Sequence, residues 1–195
     1  MKPAAFVSIL AATVVVSGAT GYWAGRKSVV PAPLQRSVEL APALPEKFQS
    51  RLSEVLETAS RLSSATKSGI SLNQLNESIQ KLQGDLDLAK SIWPADKLQE
   101  QRLAFEQLLA LYQFSAKIHE KSLRSQTIRL WFSEHPEAED FHKRYPTLEV
   151  GTSMGGSDEH GILTNNKNLV TLWNDASDRV EKLQREVEPY LQTKN

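Results

Sequence analysis

His135, Glu139 and His142 stand at i, i+4 and i+7, so on a helix all three share one face. Imidazole nitrogens and a carboxylate at that spacing are a donor set for zinc or another divalent cation. Pro136 disturbs the first turn of such a helix, and no fourth ligand is indicated. A solvated acidic surface is therefore the plainer account of these three. His119 is the second candidate, because it falls on the apolar side of a long amphipathic stretch, where bundles project haem or metal ligands inward. There is no CxxCH motif, and the only methionine besides the initiator, Met154, sits in a glycine-rich segment. His119 is accordingly expected to be a partly buried histidine hydrogen-bonded across a bundle, and no cofactor is expected.

Gly155-Gly156-Ser157-Asp158-Glu159-His160-Gly161 gathers serine, aspartate and histidine in a flexible frame. Near neighbours in sequence rarely reach triad geometry, and the segment has neither phosphate-loop nor calcium-loop spacing. No catalytic residue is assigned, and the chain is not expected to be an enzyme. Phe114 is of a different kind. At about 100° per residue it lies about 160° from the centre of its helix's apolar stripe. With Leu111 and Ile118 it forms a flank that either packs beneath residues 133–166 or stays exposed for a partner protein.

The elements that must carry these residues are legible from periodicity. Residues 72–93 place Leu72, Leu75, Ile79, Leu82, Leu86, Ala89 and Trp93 on one helical stripe. Ser71 and Gln74 form a capping-box pattern at its start, with Ile70 placed to staple onto Leu75. Gly84 weakens the helix by about 1 kcal/mol relative to alanine, and Pro94 ends it. A third helix is expected over 96–132, opened by Asp96 and Gln99. Its stripe is Leu98, Phe105, Leu108, Leu109, Tyr112, Ala116, His119, Leu123 and Leu130. Unbroken, it would run about 55 Å, long enough to demand a kink or a partner for its far end.

Ahead of these, Pro45 marks the start of a first helix over 46–67, carrying Phe48, Leu52, Val55, Leu56, Ala59, Leu62 and Thr66, with Gly69 as its stop. A short acidic helix is expected from Pro136 to Arg144. A last helix over about 167–188 carries Leu169, Trp173, Ala176, Val180, Leu183, Val187 and Tyr190. A glycine-rich loop of about 147–166 precedes it, within which only Thr147–Val150 reads as a strand. Short turns at Gly69 and Pro94 require antiparallel neighbours. The fold class expected is all-α: an antiparallel, up-down four-helix bundle with a long third helix.

The N-terminus is of another character. From Ala4 to Gly25 the chain is uncharged over 22 residues, enough to cross a hydrocarbon core of about 30 Å. Tyr22 and Trp23 stand where an interfacial aromatic pair belongs, just before Arg26 and Lys27. Residues 1–27 read as a membrane anchor. The competing reading is a cleaved signal, given the short basic start and Ser17-Gly18-Ala19. Residues 28–45, with Pro31, Pro33, Pro42 and Pro45 among alanines, read as a semi-extended linker. Counted alone, the basic residues after the span favour a cytoplasmic position for the following domain. The short charged start before it acts as an export signal and places that domain outside, which is the orientation expected here. Ser17, Gly21 and Gly25 also make a small-residue ladder of the kind that pairs two anchors.

Charge excludes one partner class. The 23 basic and 23 acidic residues cancel, and their distribution gives +3 over 1–45, +2 over 46–132 and −5 over 133–195. No basic face suited to nucleic acid results. The absence of cysteine removes disulfides and thiolate chemistry. The function expected is a membrane-tethered, extracytoplasmic helical module that contacts another protein or itself. The alternative is a ligand- or metal-binding bundle using His119 or the His135/Glu139/His142 face.

Overall fold

The computed structural model describes residues 44–124, 129–153 and 159–191. All belong to one unit, Leu40–Asn195. It is mostly helical, and the expected anchor at 4–25 lies outside the described residues. Among the described residues no helix is long and apolar enough to cross a membrane.

Helix α1 (Glu46–Ser68) begins one residue after Pro45. Pro45 serves as the N-cap, and its carbonyl accepts from the Phe48 and Gln49 amides at 2.9 and 3.0 Å. Phe48, Leu52, Val55, Ala59, Leu62 and Thr66 are buried, as their spacing requires. Gly69, at φ +88°, ends the helix in a backbone region that side chains avoid. Helix α2 (Leu72–Lys90) opens with the capping box complete: Ser71 Oγ accepts from the Gln74 amide, and Gln74 Oε1 accepts from the Ser71 amide. Gly84 sits on its exposed side, with open space where a side chain would be.

The turn to helix α3 (Gln99–Arg124) is longer than the sequence indicated. Trp93 is buried between Phe48 and Phe105, in edge contacts with ring centroids 5.0 and 6.5 Å away, and its indole N–H donates to the Lys97 carbonyl at 3.2 Å. Leu98 is left-handed, at φ +57°. Gln99 turns back to donate to the Pro94 carbonyl at 2.7 Å instead of capping from inside a helix begun at Asp96. At its other end α3 stops at Arg124, and Arg129–Trp131 is a strand, so the expected helix to 132 is corrected. Its 26 residues span about 39 Å.

Between α3 and the last helix, α5 (Asn166–Leu191), lies an insertion that the sequence resolved only in part. It contains strand β1 (Arg129–Trp131), helix α4 (Pro136–Arg144), and strands β2 (Val150–Thr152) and β3 (His160–Leu163). The strands form one antiparallel sheet in the order β1-β3-β2. Helix α4 matches its expected bounds: Pro136 occupies the first turn with Glu137 and Glu139, and His142, Lys143 and Arg144 close the last, in accord with the helix dipole. Helix α5 continues through Pro189 to Leu191.

Each long helix packs on two others, in the cycle α1, α2, α3, α5. Contacts between neighbouring helices run in opposite chain order: Lys90 meets Glu106, and the earlier Gln83 meets the later Gln113. Thr58 bonds Asp85 across α1 and α2, Gln101 bonds Glu186 across α3 and α5, and Ser60 receives Gln184 across α1 and α5. The chain enters this cycle at the buried Leu44, just ahead of Phe48, which meets Trp93 and through it Phe105. The sheet follows the opposite end of α3, so the insertion lies away from the point of entry.

Candidate functional site

The histidine–carboxylate face is not assembled. His135 is the N-cap of α4, outside the helix that would have aligned it. Its Nδ1 lies 3.5 Å from Glu137 Oε1. Glu139 pairs with Lys143 at 2.9 Å. His142 stacks on Phe132, ring centroids 5.8 Å apart. The three side chains serve three different neighbours, and among the described residues no group of three or more potential ligands comes together.

His119 holds its place on α3, but in another environment than expected. Its ring meets the Trp173 indole edge-on at 5.9 Å, and its Nδ1 is buried without a hydrogen-bond partner. The bonds across this layer belong to smaller groups. Trp173 Nε1 donates to Ser115 Oγ at 3.2 Å, and the hydroxyls of Ser63 and Ser177 are 2.7 Å apart. Tyr112, fully buried, points its hydroxyl toward Ser63 and Thr66 without a bond of good geometry to either; burial pushes its pKa up to about 12. Met154 lies outside the described residues.

The partner-contact flank is core. Leu111, Phe114 and Ile118 are 1%, 2% and 0% exposed, which removes them as a docking surface. Of the two fates the sequence allowed Phe114, packing beneath residues 133–166 is the one found. Its ring lies flat on Phe141 of α4, centroids 4.0 Å apart and planes 3° from parallel. Phe141 continues the stack to Tyr145 at 6.0 Å. At the rim Lys117 Nζ donates to Glu137 at 2.8 Å, which holds that carboxyl below its ordinary range. Tyr145 OH donates to Asp175 at 3.0 Å and accepts from Arg179 at 2.9 Å, tying the end of α4 to α5. Phe114 is buried because α3 has neighbours on both sides, the long helices α2 and α5 on one and the insertion on the other.

The sheet supplies a surface that sequence reasoning missed. Leu130 pairs with Ile162, and both are buried inward. Alternation turns Arg129, Trp131, Gly161, Leu163 and Gly151 to the opposite face. There the Arg129 side chain crosses β3 and lies over Gly151 of β2, occupying the space a side chain at 151 would need. Its guanidinium carbon is 5.2 Å from the Trp131 ring centre. Its Nε is buried without a hydrogen-bond partner, and among the described residues no carboxylate stands within ion-pair distance. The described acids beside β2 and β3 are committed elsewhere. Glu149 accepts from Lys167 and from Asn165, which hold its carboxyl below the ordinary range, and Glu159 accepts from Ser133. The signal available in sequence was the Arg-Leu-Trp alternation, three residues long and hidden inside an apparent helical stripe.

Compared with protein-family models, with curated proteins and with solved structures, the chain finds no match.

Proposed function

We propose that the chain is a membrane-tethered helical module, held outside the cytoplasm, that works by contacting another protein and performs no catalysis. The observation that carries this reading is the uncharged run Ala4–Gly25, closed by Tyr22 and Trp23 and followed by a proline-alanine spacer. The spacer leads to a unit with its own apolar core, entered at the buried Leu44. For residues 46–195 we propose an up-down four-helix bundle; the opposite-order contacts between neighbouring helices support it. Such a module keeps a folded surface a few tens of ångströms from a bilayer, within reach of another envelope component.

The test is a pair of C-terminal reporter fusions, one active only outside the cytoplasm and one only inside, with carbonate extraction of the membranes. The external reporter should be active and the protein should stay in the carbonate-washed membrane. Activity of the internal reporter alone would overturn the orientation, and release of a shortened protein would replace the anchor with a cleaved signal.

A further inference from the structure

We infer that the outer face of the sheet is where this module takes its partner, and that the partner supplies an extended segment with a carboxylate for Arg129. The inference rests on the reading of the chain as a protein-contacting module and gives that reading a surface, since the flank around Phe114 is buried.

Three observations carry it. First, Arg129 is a cation without a counter-charge among the described residues, where the acids flanking β2 and β3, Glu149 and Glu159, are already engaged. Guanidinium and carboxylate pair through two parallel bonds, and Arg129 lies against Gly151 and the Trp131 indole instead of an acid. These contacts restrict the side chain before a partner arrives, which lowers the cost of association. Second, the residues around it suit a protein contact. Trp131 and Leu163 are half-buried on the same face, and tryptophan and arginine are both enriched among the residues that dominate binding surfaces.

Third, the geometry selects an extended segment. Strand β2 is at the edge of the sheet, and its outer side has no strand beside it among the described residues. A strand added there satisfies backbone donors and acceptors, and each of its residues shares a face with the β2 residue opposite. The residue opposite Gly151 therefore points to the face where the guanidinium already lies. Gly151 leaves the space that lets Arg129 reach this edge, and Gly161 leaves the space for the close approach of β1. At Gly161 a side chain would meet the Leu130 carbonyl oxygen at 2.7 Å, and at Gly151 it would meet the arginine itself. An aspartate or glutamate on the incoming strand completes the pair.

The experiment uses the full-length protein in detergent micelles and two fluorescein-labelled probe peptides, one of alternating valine and glutamate, the other of alternating valine and lysine. Anisotropy should show the glutamate peptide binding at least about tenfold more tightly than the lysine peptide. Hydrogen exchange should show protection at Val150–Thr152 on its addition. Arg129→Gln should remove the preference with the melting temperature unchanged. If that variant melts early, Arg129→Lys, which keeps the charge but loses the planar fork, should retain the preference with weaker binding. Equal binding of the two peptides, protection confined to another element, or full binding by Arg129→Gln would overturn the inference. So would a dimer in sedimentation that Arg129→Gln dissolves, since the occupant would then be a second copy. None of these readouts depends on membrane topology, so the reporter fusions can fail while this surface stands, and the reverse.

Discussion

Phe114 and Tyr112 are close on one helix, and their buried side chains predict opposite outcomes of truncation. Phe114 fills the space under α4 with its full ring, so Phe114→Ala should cost about 3–5 kcal/mol in a urea melt. A loss below 1 kcal/mol would mean that α4 does not rest on this ring. Tyr112 carries a hydroxyl that gains little from its surroundings, so Tyr112→Phe should leave stability unchanged or raise it by about 1 kcal/mol. The same hydroxyl predicts an alkaline signature. A pKa raised to about 12 means the folded state keeps a proton that the unfolded chain releases near pH 10. The associated stability is intact below pH 10 and lost as pH rises toward 12. Tyr145, raised to about 12 chiefly by burial, adds to the same window. Tyr112→Phe should flatten the decline between pH 10 and 12, measured as melting temperature against pH. The sheet glycines give a further contrast. At Gly161 an added methyl meets backbone, whereas at Gly151 it meets side chains that can move. Gly161→Ala should therefore lower the melting temperature more than Gly151→Ala.

Among the elements, the long helices were legible because burial on a helix repeats every three or four residues, and that repeat is local. Leu75, Ile79, Leu82, Leu86 and Ala89 were read as one stripe and form one buried row. Ser71 and Gln74 announced a start that the structure realises, and Ser71→Ala should cost about 1 kcal/mol by removing it. The ends of α3 were less legible. A three-residue run such as Arg129–Trp131 fits a helical stripe and a strand equally well, and Leu130 lies in register with both. Pairing with Ile162 decided between them, and that pairing cannot be seen within any window around Leu130. The start of α3 was displaced for a related reason, since Trp93 takes the Lys97 carbonyl only once it is lodged between Phe48 and Phe105. Helix α4 is joined to α3 by the Lys117–Glu137 bond, which gives it an acid dependence. The Glu137 pKa is lowered, so the contribution of the pair is present above about pH 4.3, the ordinary glutamate value, and is lost as pH falls through the lower folded value. Lys117→Met should reduce the drop in melting temperature between pH 5 and pH 3.

For the molecule as a whole, the reporter fusions and the peptide titration test where the module is held and what it holds. Composition and periodicity by themselves determined a cysteine-free chain with an uncharged N-terminal run, a proline-rich spacer and a mostly helical unit beyond it. Those properties are written in consecutive residues, because hydropathy, proline geometry and helical repeat act over a few positions at a time. Which polar groups meet was decided only in three dimensions. His135, Glu139 and His142 share a face only if one helix contains all three, and the helix begins after the first of them. Phe114 read as an outlier until the insertion covered it. Arg129 falls within the stretch expected to be helix, and strand pairing instead lays it across Gly151, because a side chain's neighbours are set by chain segments that meet only after folding.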